Sequence, residues 1–220
     1  MNTAIIVAGG SSHRMGFDKL SAPLGDSTVL EHTLLAFDHC PDIAHIILVC
    51  DPVRWQSLDL SNFQTPLTHA PGGNERQHSV NNGLAALPPE TRYVAIHDGA
   101  RPLITPHAIS QTLQNATTHQ AASLAHPLTE TLKRSSPDGF ADEAISRENL
   151  WAMETPQCFQ LDLIRSAYSK VATDQISVTD EVSAVQHLGK PVKLVSSQQP
   201  NPKVTYPGDL AIAQALLTTN

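Results

Sequence analysis

Short apolar runs rich in β-branched residues alternate along this chain with segments of helical periodicity, and this alternation limits the possible folds more than any other feature. Such runs have the length of buried strands, whereas apolar residues three or four positions apart indicate helices. Strands that alternate with helices form a mostly parallel sheet covered on both faces. We therefore predict a three-layer α/β sandwich. The predicted strands cover residues 4–7, 45–50, 65–69, 93–97, 121–125 and 192–195.

Predicted helices fill most of the intervals between these strands. The clearest begins at Thr28, which together with Glu31 has the spacing of a capping box ahead of an apolar stripe. The predicted helices cover residues 28–37, 77–87, 106–116, 161–171, 180–188 and 209–217.

The composition favours one domain over residues 1–220, because a chain of this length can bury a sizeable core and no charged or Pro/Gly/Ser-rich linker divides it. The formal net charge of −7 argues against nucleic-acid binding, which depends on many Lys and Arg contacts with phosphates. Three cysteines without a Cys-x-x-Cys pair indicate neither a disulfide framework nor a zinc ribbon. Since the sequence has neither a signal-peptide pattern nor a bilayer-spanning apolar stretch, we expect a cytoplasmic protein that does not bind membranes.

The turn after the first predicted strand has the composition of a phosphate-binding loop. Its small residues are Ala8, Gly9, Gly10, Ser11 and Ser12. Small residues let backbone N–H groups approach an anion closely, and the cations Arg14 and Lys19 follow within seven positions of Ser12. Neither the P-loop pattern nor G-x-G-x-x-G matches this turn, so it indicates a third type of nucleotide-binding loop.

Two further loops follow predicted strands and are rich in glycine and charge. They cover residues 72–76 and 98–102. Ligands of parallel α/β sheets collect outside the carboxyl ends of the strands. We therefore expect both loops to converge with the first turn on one cleft.

Residues 127–150 do not follow the alternation of strands and helices, because this stretch is polar and is interrupted by Pro137-Asp138-Gly139. It is predicted to be a projecting hairpin. Since a long hairpin cannot bury itself against its own sheet, it would pack on another subunit or fold over the site.

Six short motifs occur in this chain in the order and at spacings similar to those of the 2-C-methyl-D-erythritol 4-phosphate cytidylyltransferases. They lie at residues 8–14, 97–102, 147–151, 155–157, 179–181 and 203–205. The resemblance covers nearly the whole chain and implies a Rossmann-like fold, Mg²⁺ as cofactor and a homodimer formed through an exchanged β-arm. It also implies CMP transfer from CTP to the sugar-alcohol phosphate, with release of pyrophosphate, in the non-mevalonate route to isoprenoids.

The same resemblance assigns residues to CTP. Arg14 and Lys19 would bind its phosphates and offset the charge on the departing pyrophosphate. The turn from Ala8 to Ser12 would contact the nucleotide, together with Asp98. The residues expected around cytosine and ribose are Gly73, Asn74 and Ser79.

On the acceptor side, the resemblance assigns Arg147 and Lys203 as catalytic cations on the substrate phosphate, with Arg147 contributed across the dimer. Asp98 would bind both Mg²⁺ and the substrate. The remaining residues expected to contact the acceptor are Gly99, Arg101, Thr131 and Thr179. The neighbouring acids Asp180 and Glu181 are interpreted instead as helix-start residues behind a Thr179 N-cap.

Three alternatives to this family stay open at this point. The sequence of the first turn is closer to that of molybdopterin guanylyltransferases, and Asn74 stands where the methylerythritol phosphate family usually has Asp. Ribitol-5-phosphate cytidylyltransferases share the motifs at 98–102 and 155–157, although Thr131 and Arg147 favour methylerythritol phosphate. A non-catalytic nucleotide sensor is the third alternative, against which the retained cations argue. The other departures from the family pattern are Pro200 and Gly208.

Overall fold

The computed structural model describes residues 1–10 and 16–217 of the chain. The strands are β1 (Asn2–Val7), β2 (Pro23–Leu24), β3 (Ser27–Thr28), β4 (His45–Cys50), β5 (Leu67–Pro71), β6 (Tyr93–Asp98), β7 (Ala121–Pro127), β8 (Leu132–Ser135), β9 (Ala141–Ile145), β10 (Trp151–Gln160) and β11 (Lys193–Ser196). The helices are α1 (Val29–Asp38), α2 (Pro52–Ser57), α3 (Arg76–Ala85), α4 (Pro106–His119), α5 (Leu161–Thr173), α6 (Glu181–His187) and α7 (Pro207–Leu217).

A central sheet organises the described residues, and its strands run in the order β11-β7-β10-β6-β1-β4-β5. β1 lies parallel to both β4 and β6, while β10 is antiparallel to its neighbours β6 and β7. The carboxyl ends of β1, β4, β5 and β6 therefore meet at one edge. The predicted mostly parallel α/β sheet is confirmed.

Two hydrophobic clusters cover the two faces of this sheet, which follows from the alternation of side chains along each strand. Ala4 and Ile6 of β1 pack in one cluster with residues of α1 and α4, whereas Ile5 packs in the other with residues of α3 and α5. Burial on both faces explains why β1 and β4 are continuous apolar runs in the sequence. The result is the predicted three-layer arrangement.

Local signals placed most elements correctly. Thr28 accepts a hydrogen bond from the backbone N–H of Glu31, and the Glu31 carboxylate accepts one from the N–H of Thr28, which confirms the capping box of α1. The strand predicted at residues 65–69 corresponds to β5, which begins two residues later. Both Gln64 and Thr65 donate their N–H groups to the carboxylate of Asp38, so this segment is tied to the end of α1 and the ladder begins at Leu67.

The sequence analysis did not predict β2, β3, the short helix α2 or the long strand β10. β10 carries polar residues and Pro156, and proline is normally excluded from the middle of a sheet. Its pairing with β7 shifts register between Met153 and Gln157, and this irregularity accommodates the proline. β10 then separates the parallel strands β6 and β7, which the alternating pattern could not indicate.

The predicted arm is a hairpin. β8 and β9 pair with each other in a two-stranded antiparallel sheet apart from the central one. Most of their residues are exposed, and so is Phe140 in the turn between them, which is 75% exposed. Within residues 1–10 and 16–217, no helix is both long and apolar enough to cross a bilayer.

Helix α3 packs so closely on the sheet that Gly83 has no room for a side chain. A Cβ there would lie 2.6 Å from Cγ2 of Ile5 and 3.1 Å from Cγ2 of Val49. We expect Gly83→Ala to lower the free energy of unfolding by about 1–3 kcal/mol, because overpacking outweighs the gain in helix propensity. Denaturant titration measures the change.

Gly208→Ala in α7 is the matched control, since a Cβ there would meet no described atom within 4 Å. It should leave stability unchanged or raise it slightly. Equal stability for Gly83→Ala and Gly208→Ala would contradict the close approach of α3 to β1.

Candidate active site

Three loops meet at the carboxyl edge of the sheet. A Cβ on Gly9 would lie 3.5 Å from Cα of Gly72, so the loops after β1 and β5 pack backbone against backbone. The N–H of Gly99 donates to the carbonyl of Val7 at 3.0 Å and joins the loop after β6 to the end of β1. The described parts of the three predicted loops therefore converge at this edge, as expected.

The loop after β5 is held by Ser79 at the start of α3. The buried Ser79 hydroxyl accepts the N–H of Gly73 at 2.9 Å and lies 3.5 Å from the Cβ position of Gly9. A Cβ on Gly73 would lie 2.4 Å from Cβ of His78, so this position requires glycine. Asn74 follows in the same loop and is exposed. The expected contacts of these residues with cytosine and ribose stay predictions.

Asp98 ends β6 and is the centre of the site. One carboxylate oxygen accepts a hydrogen bond from Nε of Arg76 at 3.0 Å, and the other accepts one from Nζ of Lys203 at 2.7 Å. Burial alone would raise the pKa of Asp98, but the charges of Arg76 and Lys203 outweigh it and hold the pKa well below its ordinary value. Asp98 is thus a buried carboxylate that stays ionised.

Arg76 is the main site residue that the sequence analysis did not assign. Its guanidinium makes a fork with Glu181, with N–O distances of 2.6 and 2.9 Å, while its Nε remains on Asp98. A cation in the first turn of a helix is opposed by the helix dipole, so Arg76 at the start of α3 was a usable signal of carboxylate partners.

Glu181 is not merely a helix-start acid, which corrects the sequence-based interpretation. Its side chain is fully buried and also accepts the hydroxyl of Tyr168 at 3.0 Å. Burial and the neighbouring Glu181 charge raise the pKa of Tyr168, which stays a neutral donor. The N-cap of α6 is Asp180, whose carboxylate accepts the N–H of Ser183, and Thr179 lies exposed just before it.

A buried histidine fixes the backbone of Asp98. The N–H of Asp98 donates to the hydroxyl of Thr155 at 3.1 Å, and that hydroxyl lies 3.0 Å from Nδ1 of His97. Nε2 of His97 lies 3.3 Å from the carbonyl of Arg101, so Nε2 carries the proton and Nδ1 accepts from Thr155. Burial lowers the pKa of His97 to about 3, so the ring is neutral.

Two further cations, Lys19 and Arg101, bind the backbone of the segment at 201–204 near this edge. Nζ of Lys19 donates to the carbonyl of Val204 at 2.9 Å, and the N–H of Val204 donates to the carbonyl of Ala100. Arg101 donates to the carbonyls of Asn201 at 2.7 Å and Met153 at 3.4 Å. The described bonds of Arg101 thus hold the backbone around Lys203, and its contact with the acceptor stays a prediction.

The other predicted residues are distributed as follows. Ala8 is buried and donates its N–H to the carbonyl of Val49, whereas Gly9 and Gly10 are exposed at the edge. Gly99 is buried. Ser11, Ser12 and Arg14 lie outside the described residues.

Thr131 and Arg147 lie exposed beside the hairpin strands β8 and β9, and the Arg147 guanidinium donates to the carbonyl of Thr129. None of the hydrogen bonds or ion pairs in the described part of the chain connects either residue to Asp98. Both residues lie on the predicted arm. Their contacts with the acceptor stay predictions, and these contacts would require the arm to reach an active site.

Fold and site together define a nucleotidyltransferase of the α/β class, with glycine-lined loops and clustered cations at the carboxyl ends of parallel strands. The sequence model of one family, 2-C-methyl-D-erythritol 4-phosphate cytidylyltransferase, matches residues 2–219. The chain belongs to this family. The comparisons thus support this family rather than the guanylyltransferases or the ribitol-5-phosphate cytidylyltransferases that the sequence left open.

Relatives and solved structures agree with this assignment. An enzyme of that name from Desulforamulus reducens is 40% identical, over 97% of this chain and 94% of its own. One from Pelotomaculum thermopropionicum is 37% identical, over 97% and 93%. The crystal structure of 4-diphosphocytidyl-2C-methyl-D-erythritol synthase from Anaerococcus prevotii superimposes with a TM-score of 0.88 at 28% identity, over 99% of this chain and 96% of that one.

The neutral state of His97 makes stability depend on pH. Below its ordinary pKa of 6.5 the unfolded chain binds a proton that the folded chain rejects until about pH 3. Stability should therefore fall as pH decreases through this window, with His97 contributing up to about 1.4 kcal/mol per pH unit. Denaturant unfolding of the protein at several pH values between 6.5 and 4 measures the slope.

His97→Asn removes this titration and should flatten the slope in the same window. Because the other histidines remain in both proteins, the difference between the two curves isolates His97. Parallel curves would contradict a neutral His97.

Proposed function

We propose that this chain transfers CMP from CTP to 2-C-methyl-D-erythritol 4-phosphate, with release of pyrophosphate and formation of 4-diphosphocytidyl-2-C-methyl-D-erythritol. Membership of the family over residues 2–219 carries this proposal. The geometry supports it, because Lys19 and Lys203, far apart in the sequence, lie at one strand edge with Asp98 and glycine-lined loops. The product is an intermediate of the non-mevalonate route to isoprenoids.

The chemistry needs positioning and charge rather than a protein nucleophile. A phosphate oxygen of the acceptor attacks the α-phosphorus of CTP, the new O–P bond forms, and the bond to the pyrophosphate oxygen breaks. A phosphate monoester is already ionised at neutral pH, so no general base is required. Arg14 and Lys19 would offset the charge on pyrophosphate, and Arg147 and Lys203 would hold the acceptor phosphate.

The residues present are compatible with Mg²⁺. Asp98 accepts two hydrogen bonds, whereas a carboxylate offers about four acceptor sites. The described part of the chain holds no group of three or more His, Cys, Asp or Glu arranged for a metal ion. Mg²⁺ commonly takes one carboxylate and completes its shell with phosphate oxygens and water, so Asp98 would hold it together with CTP. When bound, it would neutralise charge on the phosphates.

We further propose that the chain works as one cytoplasmic domain, residues 1–220, and forms a homodimer through the hairpin at 127–150. The isolation of the hairpin supports this use, because β8 and β9 pair with each other apart from the central sheet and a two-stranded hairpin is marginally stable on its own. Light scattering that finds an active monomer would contradict the dimer. Recovery of the protein in a membrane fraction would contradict the location.

Pyrophosphate release tests the reaction itself. We expect release with CTP and 2-C-methyl-D-erythritol 4-phosphate, and loss of release when EDTA removes the divalent ion. The comparison arms are GTP in place of CTP, and ribitol phosphate or molybdopterin in place of the acceptor. Activity only with another pair, or CTP binding without any release, would contradict the proposed function.

Arg147→Ala tests the acceptor role of the arm. Loss of one cation from the phosphate should raise KM for the acceptor about tenfold or more while changing KM for CTP little. Initial rates with each substrate varied in turn measure both constants. Lys133→Ala, an exposed cation on the same hairpin, is the control. An unchanged acceptor KM in Arg147→Ala would contradict the phosphate role.

A further inference from the structure

Asp98 has two cationic partners that are held very differently. Arg76 makes the fork with Glu181 as well as its bond to Asp98, and the Glu181 side chain is 0% exposed. Lys203 makes one ion pair, with Asp98, and its side chain is 37% exposed. Arg76 is thus fixed at both ends, whereas Lys203 can exchange partners by rotating a flexible side chain.

The exchange matters because a buried carboxylate cannot lose its last partner cheaply. If Lys203 turns towards the acceptor phosphate, Arg76 is the protein cation that remains within hydrogen-bond distance of Asp98, alongside the Mg²⁺ proposed there, and helps to keep it ionised. Arg76 lies 3.0 Å from Asp98 and cannot follow Lys203, since Glu181 holds its other two nitrogens. Among the described ion pairs, Arg76 and Lys203 are the two that reach Asp98.

We propose that Glu181 and Tyr168 are positioning residues that keep Arg76 on Asp98 and thereby free Lys203 to bind the acceptor phosphate. This inference rests on the proposed function. Arg76 is the permanent partner of Asp98, and Lys203 is the exchangeable one. When Arg76 is not anchored, Asp98 retains Lys203 and the acceptor loses a cation.

Tyr168 contributes by fixing the Glu181 carboxylate. Its hydroxyl donates to the same oxygen, Oε1, that accepts the shorter bond from Arg76. Tyr168 belongs to α5, Glu181 begins α6 and Arg76 begins α3, so three helices on one face of the sheet determine where the guanidinium lies. The contacts from Tyr168 through Glu181 to Arg76 thus extend the site beyond the residues that are expected to contact substrate.

A double-mutant cycle between Glu181 and Lys203 tests the proposal. Glu181→Gln keeps the shape of the side chain and removes its charge, and we expect it to raise KM for the acceptor about tenfold with a much smaller effect on KM for CTP. Lys203→Ala should also raise the acceptor KM. The double variant should be no worse than Lys203→Ala alone, because Glu181 acts through Lys203.

Tyr168→Phe provides a milder second variant, since it removes one hydrogen bond and keeps the ring. It should raise the acceptor KM about two- to fivefold in the presence of Lys203 and have no effect in the Lys203→Ala background. This variant keeps the test decisive if Glu181→Gln does not fold. Thermal unfolding of each variant checks that the fold is retained.

Asp174→Asn is the matched control. Asp174 is also a carboxylate that binds α6, through His187 at 2.6 Å, but it lies at the opposite end of that helix from Glu181. It should leave both KM values unchanged. Multiplicative effects of Glu181→Gln and Lys203→Ala, or equal effects on both KM values, would overturn the positioning role. An inactive unmodified protein would instead overturn the proposed function.

Discussion

The ionised Asp98 carboxylate, buried at the end of β6, is the interaction on which the rest of the site depends. A carboxylate in that position is stable only with cations and hydrogen-bond donors around it. Its cationic partners come from two separate parts of the chain, Arg76 from α3 and Lys203 from the segment before α7, and Thr155 of β10 accepts the backbone N–H of the same residue. Satisfying one buried charge therefore brings these elements to a common edge.

Four cations gather at this edge of an acidic molecule. Arg76 and Lys203 are paired with Asp98 and Glu181, Lys19 donates to a carbonyl oxygen, and Arg101 donates to carbonyl oxygens with Asp98 and Glu154 as its nearby negative charges. The chain as a whole has a formal net charge of −7. Low-dielectric walls concentrate a field of one sign inside a cleft, so an acidic protein can still bind polyanionic nucleotides there.

The sequence predicted what depends on local patterns and missed what depends on distant contacts. A continuous apolar run located β1, and the capping box located α1, because both signals lie within a few residues. The Arg76–Glu181 pair joins positions 105 residues apart, and nothing near Glu181 distinguishes a buried partner from a helix-start acid. β10 was missed for a similar reason, since its polar residues are satisfied by partners that only the folded chain supplies.

A crystal structure with 4-diphosphocytidyl-2-C-methyl-D-erythritol bound would show where the two cations of Asp98 go. We expect Nζ of Lys203 to leave Asp98 for a phosphate oxygen of the ligand, while Nε of Arg76 stays near its present 3.0 Å from Asp98. Lys203 still paired with Asp98 in the bound state, or Arg76 displaced onto the ligand, would contradict this exchange of partners.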